Sequence, residues 1–134
     1  MKPHVILIMA DQLRADVLGK GYTPTIDALI EESVAFNRTY CASPLCVPSR
    51  GAFFSGLYPN TNGSLINPWE PKDAHYGDIK AGIDTLYTLM ENEWASIHSG
   101  KQHVFTEGGK LEDRKDSDTN FIATEATYKK FLQQ

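Results

Sequence analysis

The sequence predicts a layered α/β/α fold around a mostly parallel or mixed sheet. Three observations predict it. Strand-length apolar runs alternate with segments of helical spacing along the chain. The first run, Val5 to Met9, is apolar throughout, which suits a strand covered on both faces. Polar, chemistry-bearing residues follow the strand-like runs directly, at the carboxyl ends where open α/β sheets build their sites.

The elements follow in order. Val5 to Met9 stops at Ala10-Asp11-Gln12, placing two polar side chains at the strand's end. Thr23 caps a helix with Pro24 at its first position, and Ile26, Leu29 and Ile30 form its apolar stripe. Val34 to Tyr40 reads as a second strand leading into the loop before Cys46. At Cys46-Val47-Pro48-Ser49-Arg50 that loop enters a short helix, followed by the small-residue segment from Gly51 to Gly56. Pro48 fits the first turn, where a missing N–H costs nothing. Free N–H groups there would point at Cys46, Arg50 would return one turn later, and negative charge would be favoured between them.

Tyr58 to Tyr76, dense in Pro, Asn and Gly, reads as a long irregular connection. A helix begins near Asp84, with Leu86, Leu89 and Met90 at helical spacing. Trp94 to Ser99 alternates as a strand does and ends at Gly100. Lys101 and His103, two apart on an extended segment, would then project from one face. Lys110 to Asp118 is polar and expected at the surface. Asp118 caps a terminal helix carrying Phe121, Tyr128, Phe131 and Leu132. About three strands result, few for a sheet with helices on both sides.

Composition narrows the function. The 134 residues are 41% hydrophobic and 22% charged, enough for one domain with a real core. The net charge is −4 and no basic stripe is present, which speaks against nucleic-acid binding. Any attraction for an anionic substrate must therefore be local, with a metal ion as the obvious source. The longest apolar run, Val5 to Ala10, is far too short to span a bilayer, and no signal-peptide cleavage site follows it. Two cysteines, Cys41 and Cys46, make neither a zinc site nor a disulfide framework, and a cytoplasmic location is expected. Cys41 reads as a small core residue, His4 and His98 as structural, and His75 and Tyr76 as surface residues.

Four segments carry a family resemblance, in the expected order. Cys46-Val47-Pro48-Ser49-Arg50 resembles the sulfatase signature, and His4 to Gln12 resembles that family's opening strand and metal-binding turn. Thr23 to Leu29 is similar to its next helix, and Gly100-Lys101-Gln102-His103 to the segment supplying a lysine and a histidine. The resemblance implies that residues 1–134 are the amino-terminal portion of an alkaline-phosphatase-like sulfatase domain, with the rest of that domain, or another chain, needed to complete the site. It implies that Cys46 is oxidised to formylglycine, whose hydrate attacks the sulfur of a sulfate monoester and then collapses to the aldehyde, expelling sulfate.

It further implies that Arg50 anchors that hydrate, Lys101 binds sulfate oxygens and His103 positions or protonates oxygen atoms. Asp11, Gln12 and the modified Cys46 would ligate a hard divalent ion, Ca²⁺ ahead of Mg²⁺. Gln12 stands where many members carry a second aspartate. Further ligands expected from the family's later sequence have no counterpart after His103. The implied substrate is a sulfated small molecule or carbohydrate. Two alternatives stand beside this reading: a phosphonate or phosphate ester hydrolase of the same superfamily, and an inactive truncated fragment acting as an interaction module.

Overall fold

The computed structural model describes residues 3–68, 71–90, 94, 97–101, 103–107, 109–110 and 119–121. The chain divides into two units, Met1–Tyr40 and Cys41–Gln134. Helices and short strands make it a mixed α/β chain. No helix among the described residues is long and apolar enough to cross a membrane.

In the first unit a helix and the Asp27 carboxylate close the loop before it. Helix α1, Pro24–Glu31, begins after Thr23 with proline in its first turn, as expected. Its cap works differently from the expected one. The Thr23 hydroxyl makes no capping bond to the backbone; it donates to Asp27 Oδ1 at 2.7 Å. The Asp27 carboxylate also accepts the Gly19 and Gly21 N–H groups at 2.9 and 3.0 Å, closing the preceding loop onto the helix. Those three donors hold the Asp27 carboxyl below its ordinary 3.8, Gly19 most strongly, then Thr23.

The predicted first strand does not form. Val5 to Met9 pairs with no strand among the described residues, and Ile6 and Ile8 are 84% and 86% exposed. The reason is physical: an apolar strand is stable only when a ladder partner takes its backbone groups and another layer covers its side chains. Val34 to Tyr40 likewise forms no strand, and Val34, Phe36 and Tyr40 are exposed. Leu29 of the expected helix stripe is also exposed.

The second unit is built around α2, Cys46–Ser55, which ends at Gly56 in the left-handed conformation. The segment read as irregular carries α3, Pro59–Asn62, a 3₁₀ turn at Pro71–Asp73 and α4, Ala74–Gly77. Its Pro and Gly are cap signals: Pro59 opens α3, and Gly63 closes it at φ 94°. Helix α5, Leu86–Met90, starts where expected, though Leu89 faces solvent and Tyr87 is the residue it buries.

Strand β1, Ile97–Ser99, lies within the predicted one. It pairs in parallel with β4, Thr119–Phe121, His98 opposite Asn120. A strand therefore stands where the terminal helix was expected to begin, and residues 122–134, the rest of that expected helix, lie outside the described set. Strands β2, Phe105–Thr106, and β3, Gly109–Lys110, form an antiparallel pair. Ile79 bridges to this pair, donating to the Phe105 carbonyl and accepting from the Glu107 N–H, both at 2.8 Å.

Two kinds of packing hold α2. Its apolar side meets a core of Phe54, Ile79, Tyr87 and Val104, with Ile83 and Leu86 packed against it. Phe54 and Tyr87 stack with ring centroids 5.1 Å apart, and each such buried side chain contributes roughly 1.5–3 kcal/mol. Its other side is polar. Asn62 is fully buried, donating to Ser55 Oγ and the Leu57 carbonyl while accepting the Ser64 N–H. Ser64 Oγ donates to the Gly77 carbonyl, and a Cβ on Gly51 would lie 3.0 Å from the Ser64 side chain. Cys41, expected in a core, is exposed.

Candidate active site

The site is assembled at the first turn of α2. Cys46 is the first helical residue, not a loop residue facing the helix end. Pro48 sits in the first turn as expected, and Arg50 follows Cys46 by four residues, on the same face. The helix-end N–H groups, expected to point at Cys46, are used otherwise: Val47 donates to Asn67 Oδ1 at 2.9 Å. With its oxygen so engaged, the Asn67 amide presents its nitrogen to Cys46 Sγ, 3.2 Å away.

Asn67 is the functional candidate that the sequence reading missed. It reaches the helix from a braced turn, in which the Leu65 and Ile66 N–H groups both donate to the Tyr76 carbonyl. Pro68, next in sequence, packs so tightly on Gly77 that a Cβ there would lie 2.7 Å from its ring. The available signal was the Asn67-Pro68 dipeptide: the residue before a proline is held extended, which aims a side chain out of a turn.

The Gly100 segment supplies the other side. Gly100, at φ 100°, turns the chain after β1. Arg50, which is buried, donates to the Lys101 carbonyl at 2.7 Å. His103 Nδ1 lies 3.4 Å from Cys46 Sγ. The backbone is not extended at His103, which has φ 49°, unlike the extended segment expected there. Left-handed backbone at a non-glycine residue is sparsely populated and needs support from its surroundings. The completely buried Val104 beside it supplies an anchor. The Lys101 side chain is exposed.

Behind Arg50 stands a second polar pair. The Tyr87 hydroxyl and His98 Nδ1 are hydrogen bonded. Burial pushes the Tyr87 phenol up to about 12, against an opposing pull from Arg50. Burial, followed by the Arg50 charge, lowers the His98 pKa, and the Lys101 backbone acts the other way.

Asp11 and Gln12 lie in the first unit, on an exposed turn closing the Val5–Met9 run. Gln12 adopts φ 58°, so that turn too holds a non-glycine residue in left-handed backbone. Among the described residues, no three His, Cys, Asp or Glu side chains converge as a metal site. Asp11 and Gln12 nonetheless bring oxygen donors of the kind that hard cations take. His75 and Tyr76, expected at the surface, are exposed, with their ring centroids 3.8 Å apart and the ring planes tilted by 41°.

Comparison with known proteins points one way. The sequence model of the Sulfatase family matches residues 3–134. The chain is 37% identical over 118 residues to an arylsulfatase of Clostridium perfringens, covering 80% of this chain and 22% of that one. It is 36% identical over 116 residues to a choline-sulfatase of Rhizobium meliloti, covering 79% and 22%. To a delta 4,5-hexuronate-2-O-sulfatase of Bacteroides thetaiotaomicron it is 32% identical over 108 residues, covering 76% and 22%. The chain thus spans about a fifth of the length of the curated relatives it matches. No solved structure matches it significantly.

Proposed function

The chain belongs to the sulfatase family, and from that membership we propose that it forms the amino-terminal part of an enzyme hydrolysing sulfate monoesters. One observation carries the reading. Two segments about fifty residues apart meet at one point: Cys46 touches His103, while Arg50, one turn on, is tied to the Lys101 backbone. Sulfuryl transfer needs those parts together: a nucleophile, positive charge for the sulfuryl oxygens and a group to manage protons.

Each residue then has a task. Position 46 carries the nucleophile, and the Cys46 sulfur stands where an oxygen of the mature side chain would lie. As formylglycine, that side chain supplies a hydrated aldehyde in place of a thiol. Asn67 Nδ2 and His103 Nδ1 would face its oxygen and fix its orientation. Arg50, buried and anchored, holds a positive charge beside it. Lys101 offers a second, exposed positive charge to the substrate, and His103 holds or moves the proton at the nucleophile or leaving oxygen.

Asp11 and Gln12 would hold a divalent cation, Ca²⁺ ahead of Mg²⁺. When bound, that ion neutralises charge on the sulfuryl oxygens. Two donors and residue 46 fall short of the roughly six to eight oxygens that Ca²⁺ takes, so the other ligands come from elsewhere in the whole protein. In that protein Val5–Met9 takes its place as a covered strand of a layered α/β/α sheet. The substrate is a sulfated small molecule or carbohydrate.

Two measurements test the reading. In the mature protein, the peptide containing Cys46 should be lighter by roughly 18 Da than its thiol form, the difference between thiol and aldehyde. The whole protein, so modified, should hydrolyse an aryl sulfate faster than an aryl phosphonate. The reverse order would favour a phosphonate or phosphate ester hydrolase, and no hydrolysis of either would refute the enzymatic reading.

A further inference from the structure

We propose that Tyr87 and His98 are positioning residues for Arg50, bracing the Lys101 backbone on which its guanidinium is anchored. The inference rests on the sulfatase reading of the site, and on three features of the Arg50 surroundings.

The first is the anchor. Arg50 reaches the site from the buried face of α2, and its donation to the Lys101 carbonyl is set by where that peptide lies. Lys101 is three residues beyond His98, just past the turn at Gly100. Holding the His98 ring therefore limits where the Lys101 peptide can go.

The second is the grip on His98. Tyr87 binds its Nδ1 from α5, and Phe54 of α2 lies on the same two rings, 5.1 Å from Tyr87 and 6.3 Å from His98. Phe54 is four residues after Arg50, so the ring cluster and the guanidinium share one helix face. The α5 phenol, the β1 imidazole and the α2 arginine form one connected group.

The third is the proton pattern. The Tyr87 phenol stays protonated through the working pH range and has a proton to donate; because the Lys101 backbone meets the same ring as an acceptor, we assign Tyr87 as the donor and Nδ1 as the acceptor. The ring proton of neutral His98 therefore sits on Nε2. That nitrogen is buried without a well-formed hydrogen bond among the described residues, and the Lys101 backbone is the acceptor that interacts with this ring. One peptide thus meets the Arg50 guanidinium and the imidazole together. A buried phenol and imidazole are expensive to desolvate compared with an apolar pair of the same size. A role in aligning the arginine accounts for both.

The test uses the whole, formylglycine-bearing protein. Tyr87→Phe keeps the ring stack and removes one oxygen. It is expected to leave the melting temperature within a few degrees of wild type and KM within about twofold, while kcat falls about tenfold, the size of effect typical when a supporting hydrogen bond is lost. His98→Gln, whose amide can both accept from Tyr87 and donate onward, should hold kcat within about threefold; His98→Leu should lose about tenfold or more. Unchanged kcat in Tyr87→Phe, or equal losses in the Gln and Leu variants, overturns the inference while wild type remains active. A modified wild type with no sulfatase activity overturns the functional reading, and this inference with it.

Discussion

Residues 5–9 form an unbroken apolar run and stand exposed, whereas Asn62, Ser64 and Thr85 are polar and almost wholly buried. The two regions differ in where their partners lie. Asn62 satisfies its amide with Ser55, Leu57 and Ser64, all within seven residues, so its network closes within one short stretch of chain. An apolar strand has no such local solution. It needs a ladder and a covering layer, and both come from distant sequence. In this chain locally paired polar groups are therefore buried beside the apolar core, and the candidate site is built against that part.

The comparison can be broken or sharpened by substitution, beginning with the largest effect. Cys46→Ala in the whole protein should reduce kcat for an aryl sulfate by roughly 10⁴-fold or more while leaving the melting temperature nearly unchanged, because it removes the proposed nucleophile and little packing. Retained turnover would detach the chemistry from α2. Next comes Asn62→Ala, expected to lower stability by about 3 kcal/mol in urea unfolding, since it strips three hydrogen bonds and leaves buried groups unpaired. A loss under about 1 kcal/mol would mean that the polar network is incidental.

A smaller change at Ile6 tests the other half of the comparison. Ile6→Thr should alter the stability of the 134-residue chain by no more than about 0.5 kcal/mol, as for an exposed site. In the whole protein the same substitution should cost about 2 kcal/mol if the strand is covered there. Equal effects in both would contradict a strand completed by the rest of the domain.

The smallest effect is electrostatic. The Asp27 carboxyl is lowered in the folded chain, so its contribution is fully present above the unfolded value of 3.8 and is lost as pH falls through the lower, folded value. Asp27→Asn should abolish that part of the acid dependence, seen as a flatter stability profile below about pH 4. A carboxyl titrating at its ordinary value, followed by nuclear magnetic resonance, would show that the loop at Gly19–Gly21 is not tied to it.

Short motifs of the candidate site and most helices are legible in the sequence, and the strands less so. Cys46, Arg50 and His103 stand in two short motifs, and the structure sets Cys46 against His103 and Arg50 against the Lys101 carbonyl. The helices after Thr23 and at Cys46 are also legible, because a proline in the first turn acts locally, and the helix near Asp84 shows in its apolar spacing. The errors concern reach. Pro59 and Gly63 read as loop markers but bound a helix, and the extended segment expected at Lys101 and His103 meets a positive φ at His103. Asn67 left only a faint mark, since a single Asn-Pro pair does not say which helix it will meet.

By itself the sequence determined the local chemistry: a cysteine and an arginine one turn apart, a proline-started helix, and a lysine and histidine behind a glycine turn. Those follow from short-range sterics and residue type. Tertiary structure alone decided that Asn67 bridges the helix start to the Cys46 sulfur, that Tyr87 and His98 stand behind Arg50, and that residues 5–9 go uncovered. Each of these depends on groups far apart in the chain, and only packing selects which distant partner a side chain finds.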